Sequence, residues 1–353
     1  MKLVTDWFRR VFNDAQTVSL LLLIAAVLGI VLFFGRMLAP VLAGIVMAYL
    51  LEGVVRVLER HGTARWPSVL IVFLSFIASV VFVLTGPLPM LSRQASELAQ
   101  QLPEMVLRGQ QYLMSLPVLY PRFVDESQVL GVIGIIKGEV GGLAQNVFTW
   151  SLASVFGVIT ILVYLILVPV LVFFFLKDKE RILGWAEQFL PTNRGLVMRV
   201  WRDIDLQIGN YVRGKIWEVL LNWLVCYLVF AWLDLQYAML LSFMVGLSVI
   251  VPYLGAVVVT VPVAVVGLFQ WGWGTDFLWL IGAYAILMAL DGNVLVPWLF
   301  SEVVDLHPVA IIVAVLLFGG LWGFWGVFFA IPLATVVQAV LKAWPRRIAT
   351  PPS

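Results

Sequence analysis

Between Lys215 and Lys342 this chain contains no lysine and no arginine. Charge is scarce throughout: 12% of the 353 residues are charged, 62% are hydrophobic, and the mean hydropathy is +1.03. A soluble domain of this size carries about 25% charged residues, so the composition excludes a water-soluble globule and points to a polytopic protein of the lipid bilayer. The net charge of +2, with basic residues confined to the flanks of apolar runs, leaves no patch for nucleic acid. The single cysteine, Cys226, lies inside an apolar run, which rules out an intrachain disulfide and a cysteine-based zinc site. Catalytic patterns are missing as well: no Gly-x-Ser-x-Gly, no His-Glu-x-x-His and no phosphate-cradling Gly-rich loop. The two histidines, His61 and His307, are expected at opposite membrane faces and so form no metal site. Neither enzyme activity nor a bound cofactor is expected.

What the chain does hold is apolar runs of spanning length. A helix needs about 20 such residues to cross about 30 Å of hydrocarbon. On that rule the fold is all-α, with about eight transmembrane helices over 17–35, 37–55, 66–88, 151–176, 216–233, 238–269, 275–299 and 308–343. The first two are expected to be separated by a tight turn at Gly35-Arg36. Met1–Arg10 followed by Val18–Phe34 is read as an uncleaved first helix, because the apolar run is long and lacks a small-x-small cleavage site. The organisation is then three N-terminal spans (1–88), an extracytoplasmic amphipathic segment (89–150), a fourth span (151–176), a cytoplasmic basic amphipathic segment (177–215) and a C-terminal transport core (216–353). Lys and Arg cluster before span one, after span two, between spans four and five, and at the C-terminus. An even number of crossings puts all four clusters on the cytoplasmic side, and with them both termini.

Two segments face water. In the first, Leu91, Ala95, Leu98, Leu102, Met105, Gly109, Tyr112 and Leu116 recur at alternating spacings of four and three, the period of a helix seam. That stripe either lies on the membrane and the spans or contacts a second copy of the chain in a homo-oligomer. In the second, Leu196, Val200, Ile204, Ile208 and Tyr211 form an amphipathic face suited to an anionic leaflet.

The C-terminal core is not a plain set of apolar spans. Its runs are interrupted at Pro252-Tyr253-Leu254-Gly255, at Asp291-Gly292-Asn293 followed by Pro297, and at Gly319-Gly320-Leu321-Trp322-Gly323-Phe324-Trp325-Gly326 ahead of Pro332. Backbone freed by such interruptions survives at membrane depth only against protein or a wet cavity, as re-entrant hairpins or as kinks, so Pro252, Tyr253, Gly255, Pro297, Gly320, Gly323, Gly326 and Pro332 are expected to mark a solute or ion pathway. The first and third interruptions share an aromatic-then-Gly pattern with a proline beyond it, which is either a faint internal repeat of the kind transporters carry or chance convergence of Gly-rich apolar sequence. Asp291 sits between two apolar stretches, where a lone carboxylate costs at least about 2.5 kcal/mol. No Lys or Arg lies in the spans beside it in sequence. A proton, a cation such as sodium, or a solute donor is therefore its natural partner, with the Asn293 amide and the bare Gly292 backbone beside it. The competing reading makes Asp291 and Asn293 a lock on carbonyls freed by Pro297. Glu218, like Glu52, falls at a span end near a basic residue and reads as a structural ion pair. Glu218 and Asn222, one turn on, are also possible lining residues.

Taken in order, Tyr211-Val-Arg-Gly214, Ile250-Val-Pro-Tyr-Leu-Gly255, Gly292-Asn-Val-Leu-Val-Pro297, Leu306-His307-Pro308 and the Gly319–Gly326 series to Pro332 resemble the autoinducer-2 exporter family, the PerM-like bacterial permeases. That resemblance implies a permease of the bacterial inner membrane, a homo-oligomer, exporting a small polar solute such as a quorum-sensing signal. Sodium–proton exchange is the alternative function, and a non-transporting scaffold that recruits partners through 92–149 is a third.

Overall fold

The computed structural model describes residues 15–119, 154–188, 195–252, 254–300 and 306–343, with isolated positions between 125 and 138. Among these residues every regular element is a helix. The first, α1 (Ala15–Arg60), runs for 46 residues without a break, about 69 Å at 1.5 Å per residue. The turn expected at Gly35-Arg36 does not form, so the segments 17–35 and 37–55 are one helix. A glycine inside a helix costs only about 1 kcal/mol, whereas each backbone bond opened in hydrocarbon costs several. Two residues cannot outweigh that.

A turn with Gly62 at φ +92° leads into α2 (Arg65–Thr85), and α3 (Pro87–Leu119) follows beyond Gly86. Helix α4 (Ser154–Lys177) lies along α1. Gly44 lets the two approach, since a Cβ there would stand 2.9 Å from that of Leu171. Val55, Val69, Val72, Val172 and Leu176 make the dry centre of this unit. At its end α5 (Lys179–Glu187) turns by 80° from α4. There the buried Glu52 carboxylate accepts from Lys179 at 2.8 Å, Arg65 at 3.4 Å and Arg56 at 3.5 Å. Arg65 also donates to the Leu176 carbonyl. Cations on α1, α2 and α5 thus meet on one acid.

The C-terminal unit is built around α6 (Gly195–Trp232), 38 residues long. After it come α7 (Ala238–Ser248) and α8 (Leu254–Trp271), which form a closed antiparallel hairpin. Its base is clasped by polar bonds: the Gln236 N–H donates to Gln270 Oε1, and Gln270 Nε2 donates to the Asp234 carbonyl, both at 2.7 Å. At its tip Gly255 presses on the Ser248 carbonyl, where any Cβ would overlap backbone. The chain then descends through α9 (Thr275–Leu290), a π turn (Asp291–Leu295) and α10 (Val296–Phe300). A second hairpin follows, from α11 (Pro308–Trp322) through the short α12 (Phe324–Phe328) to α13 (Ala330–Ala343). It turns at Gly323, whose φ of +60° suits glycine, and Gly326 presses on the Phe318 carbonyl. The expected spans 238–269 and 308–343 are therefore folded back on themselves.

Among the described residues five helices are long and apolar enough to cross a membrane, six with α4 and its bent continuation α5 counted as one, against eight expected from hydropathy over the whole chain. The hairpin between α7 and α8 also changes the side on which later residues emerge. Phe300 lies over Gly214 and Lys215, at the end of α6 that meets Gly53 through Arg213. His307 thus follows at the end of the bundle where α1 finishes at Arg60 and His61, rather than at the opposite face. Each imidazole bonds backbone of its own segment: His61 Nδ1 the Val57 carbonyl, His307 Nδ1 the Val309 N–H.

The α3 stripe is covered from within the chain. Leu98, Leu102 and Met105 pack with Leu235, Tyr237 and Leu241 of the first hairpin, Gln94 Oε1 accepts from the Leu240 N–H, and Gly109 faces Phe269 at 3.6 Å. Those positions serve a contact within the chain, while Ala95 and Tyr112 stay exposed. A second apolar stripe in the sequence, Val129, Val132, Ile136, Val140, Leu143 and Val147, lies largely outside the described residues.

Candidate functional site

Helix α6 is inside-out across its apolar half. Tyr211, Lys215, Glu218, Asn222, Cys226 and Phe230 recur at three- and four-residue spacing, and all are buried. Trp217, Leu220, Leu224, Leu228 and Trp232 on the other faces are exposed. In water such a helix would turn over. In a bilayer the arrangement is expected, because ionisable side chains face the bundle interior.

Two polar contacts occupy the centre of that stripe. Lys215 Nζ donates to Glu218 Oε2 at 2.8 Å, with side chains only 6% and 3% exposed, and the ammonium lies 5.6 Å from the centre of the Phe300 ring. One helical turn beyond Glu218, Asn222 Nδ2 donates to Asp291 Oδ1 at 2.6 Å. Asp291 is half-buried at the start of the π turn and stands close enough for its charge to act on both Glu218 and Cys226. Farther along α9, the Tyr284 hydroxyl is shared with Thr260 and the Ala256 carbonyl of α8, tying the first hairpin to the helix that carries Asp291.

The π turn has a local cause. Pro297 has no N–H and its ring crowds the carbonyl four residues back; widening the preceding turn makes room for it, and π bulges of this kind recur at functional sites. The Val296 N–H reaches the Asp291 carbonyl. Asn293 is exposed, and its amide donates to the Ala289 carbonyl at 2.8 Å. It therefore serves the local backbone and does not face Asp291's partner. Gly292 is exposed with open space where a Cβ would be, so no close approach explains it.

Of the other expected pathway residues, Pro252, Gly255, Gly320, Gly323 and Gly326 all lie at or beside the two hairpin turns. Pro332 is buried in the first turn of α13, and Pro297 is exposed in α10. Tyr253 lies outside the described residues, as do the side chains of Phe324 and Trp325. Trp322 stacks on Phe318 with ring centres 5.8 Å apart. Gly255 and Gly326 do the same work, each setting a return arm against the carbonyl of the arm before it.

The structure corrects the environment of two residues. Glu218 and Lys215 form the expected ion pair, but it is buried inside the bundle rather than at a span end, and Lys215 is a base within the cluster that holds Asp291. The signal was present in the spacing Lys215, Glu218, Asn222, Cys226, but reading Lys215 as the last residue of a basic loop hid it. Glu52 fits its expected structural role.

Crossing helices, a π-bulged span, two helical hairpins and buried ionisable groups along one interior stripe define a multi-pass membrane protein of the permease type. Sequence comparison agrees. The AI-2E family transporter profile matches residues 20–346, and the chain belongs to that family. It is 44% identical to PerM of Escherichia coli (strain K12), whose name describes it as a permease, over 98% of each chain. It is 27% identical to YueF of Bacillus subtilis (strain 168), named as a transport protein, over 88% of this chain and 84% of that one. Another transport protein of that strain, YrrI, is 24% identical over 86% of this chain and 85% of its own.

Proposed function

We propose that this protein is a secondary transporter that exports a small polar solute, of the autoinducer-2-like class the family name suggests, and that Asp291 couples the movement to a proton or sodium ion. The observation that carries this reading is the Asn222–Asp291 contact on the buried face of α6. A carboxylate is held there by one amide, at a depth where structural needs alone favour apolar side chains. The interrupted helices around it supply backbone groups and two hairpin turns that can bind and release a solute. Sodium–proton exchange without an organic solute is the second reading, favoured by the excess of acid over base in the cluster.

The test is purified protein in liposomes. Proton release on adding sodium and uptake of labelled small polar solutes are measured for the wild type and for Asp291→Asn. Loss of both fluxes in a variant that folds supports the reading; wild-type flux in that variant sinks the coupling role.

The setting we propose is the bacterial inner membrane, with the end carrying Arg56, Arg65, Lys179 and Arg213 in the cytoplasm. Single cysteines at Ser127 and Asn193, in a Cys226→Ser background, should then label from opposite sides with an impermeant reagent. Labelling of both from one side contradicts that orientation.

A further inference from the structure

The cluster on α6 has three ionisable members, and they do not balance: Lys215 carries one positive charge, Glu218 and Asp291 one negative charge each. We propose that Lys215 is a positioning residue that cancels Glu218 and so limits the Asp291 site to a single proton. This deepens the reading of Asp291 as the coupling residue and rests on it.

The geometry divides the cluster into a closed half and an open half. Lys215 and Glu218 are bonded at 2.8 Å and almost wholly buried, with the Phe300 ring over the ammonium. Gly214 makes that lid possible, because a Cβ there would stand 2.9 Å from the Phe300 ring. Asp291 is less buried, and among the described residues its one side-chain hydrogen bond comes from the Asn222 amide. An amide carries no net charge, so that bond orients the carboxylate and leaves its charge unbalanced.

Among the described residues no neighbouring element supplies the missing charge. Helices α7, α8, α11 and α12 contain no Asp, Glu, Lys, Arg or His, and α10 has none. Helix α9 adds only Asp276, in its first turn, and α13 only Lys342, next to its last residue. On the α1 side, Arg213 of α6 bonds the Gly209 carbonyl and Asn210, and Tyr49 donates to the Asp205 carbonyl. The remaining titratable groups near the cluster are Tyr211 and Cys226 on the α6 stripe and Tyr284 on α9, none of which is ordinarily charged near neutral pH. One uncompensated carboxylate in apolar surroundings takes one positive charge. With Lys215 absent there would be two such carboxylates, and the site would take two.

Infrared difference spectra recorded across a pH titration count the carboxyls that gain a proton, by their C=O stretch, and need no substrate. In reconstituted wild type one carboxyl of this cluster should titrate, and Asp291→Asn should remove it. Lys215→Met keeps the length of the side chain without its charge, and should raise the band by about twofold as Glu218 titrates too. The double variant Lys215→Met/Glu218→Gln should return it to one. A band in Lys215→Met equal to wild type, or two carboxyls titrating in wild type, overturns the proposal.

If Lys215→Met does not fold, the double variant carries the test, because replacing both members of a buried pair is tolerated far better than removing one. It must keep one titrating carboxyl and the wild-type ratio of protons to solute or sodium in liposomes. Loss of either overturns the proposal, since Glu218 would then be doing more than balancing Lys215. The broader reading fails differently: Asp291→Asn would keep coupled flux, whatever the infrared count.

Discussion

Glu52 and Asp291 are both acids held between helices of the same bundle, and their surroundings are opposite. Glu52 sits where α1, α2 and α5 converge and collects Arg56, Arg65 and Lys179, with Glu59 sharing Arg65. Base outnumbers acid there, and every contact joins one helix to another or steadies a helix end. Asp291 sits between α6 and α9 with an amide for a partner and Lys215 already engaged. Acid outnumbers base. The contrast extends to the scaffolds: α1, α2 and α4 are long and pack through ordinary side-chain contacts, whereas the C-terminal unit turns back twice on glycines that touch backbone. A saturated acid on continuous helices holds a fold together. An unsaturated acid at a π turn is what the proposed exchange of a proton or cation requires.

The sharpest way to break this contrast is to neutralise each acid. Asp291→Asn should abolish coupled flux in liposomes while the melting temperature in detergent stays at or above wild type, because a neutral amide avoids the cost of a charge at membrane depth. Normal flux with a lowered melting temperature would place Asp291 in the same class as Glu52.

Glycine substitutions probe the scaffolds next. Gly255→Ala or Gly326→Ala drives a methyl group into a main-chain carbonyl and should cost on the order of 3 kcal/mol or more. Gly44→Ala meets the Leu171 side chain, which can move, and should cost about 1 kcal/mol. Thermal unfolding followed by gel filtration ranks the three; equal losses would remove the distinction between the units.

Glu52→Gln should destabilise by about 2–4 kcal/mol, since it strips the shared acceptor from Arg65 and Lys179, with flux per folded molecule unchanged. A Glu52→Gln protein of wild-type stability and impaired transport would reverse the roles assigned to the two acids. The smallest effect belongs to Asn293→Ala. Its bond to the Ala289 carbonyl is exposed, so about 1 kcal/mol of stability and little flux should be lost. Failure of transport in that variant would move the site onto the π turn itself.

Much of this was legible along the chain. Hydropathy showed a helical membrane protein because about 20 apolar residues have no stable alternative in hydrocarbon. The interruptions at Pro252–Gly255, Asp291–Pro297 and Gly319–Gly326 marked where helices would fail to run straight. Asp291 stood out because no basic residue neighbours it in sequence. Sequence order and composition determine those features, since each depends on residues a few positions apart.

Whether an interruption becomes a turn, a widened coil or nothing depends on what packs across it, and that only the tertiary structure decided. Gly35-Arg36 lies inside a continuous helix, since two residues do not repay opened backbone bonds. Gly255 and Gly326 became hairpin turns because the returning arms close onto Ser248 and Phe318. Lys215 reads as the end of a basic loop until α6 proves to be one 38-residue helix, whose rotation turns Lys215, Glu218 and Asn222 inward together. The partnership of Asn222 with Asp291 spans 69 positions, a distance no local pattern bridges; it exists because α9 packs on α6 with its π turn at that level.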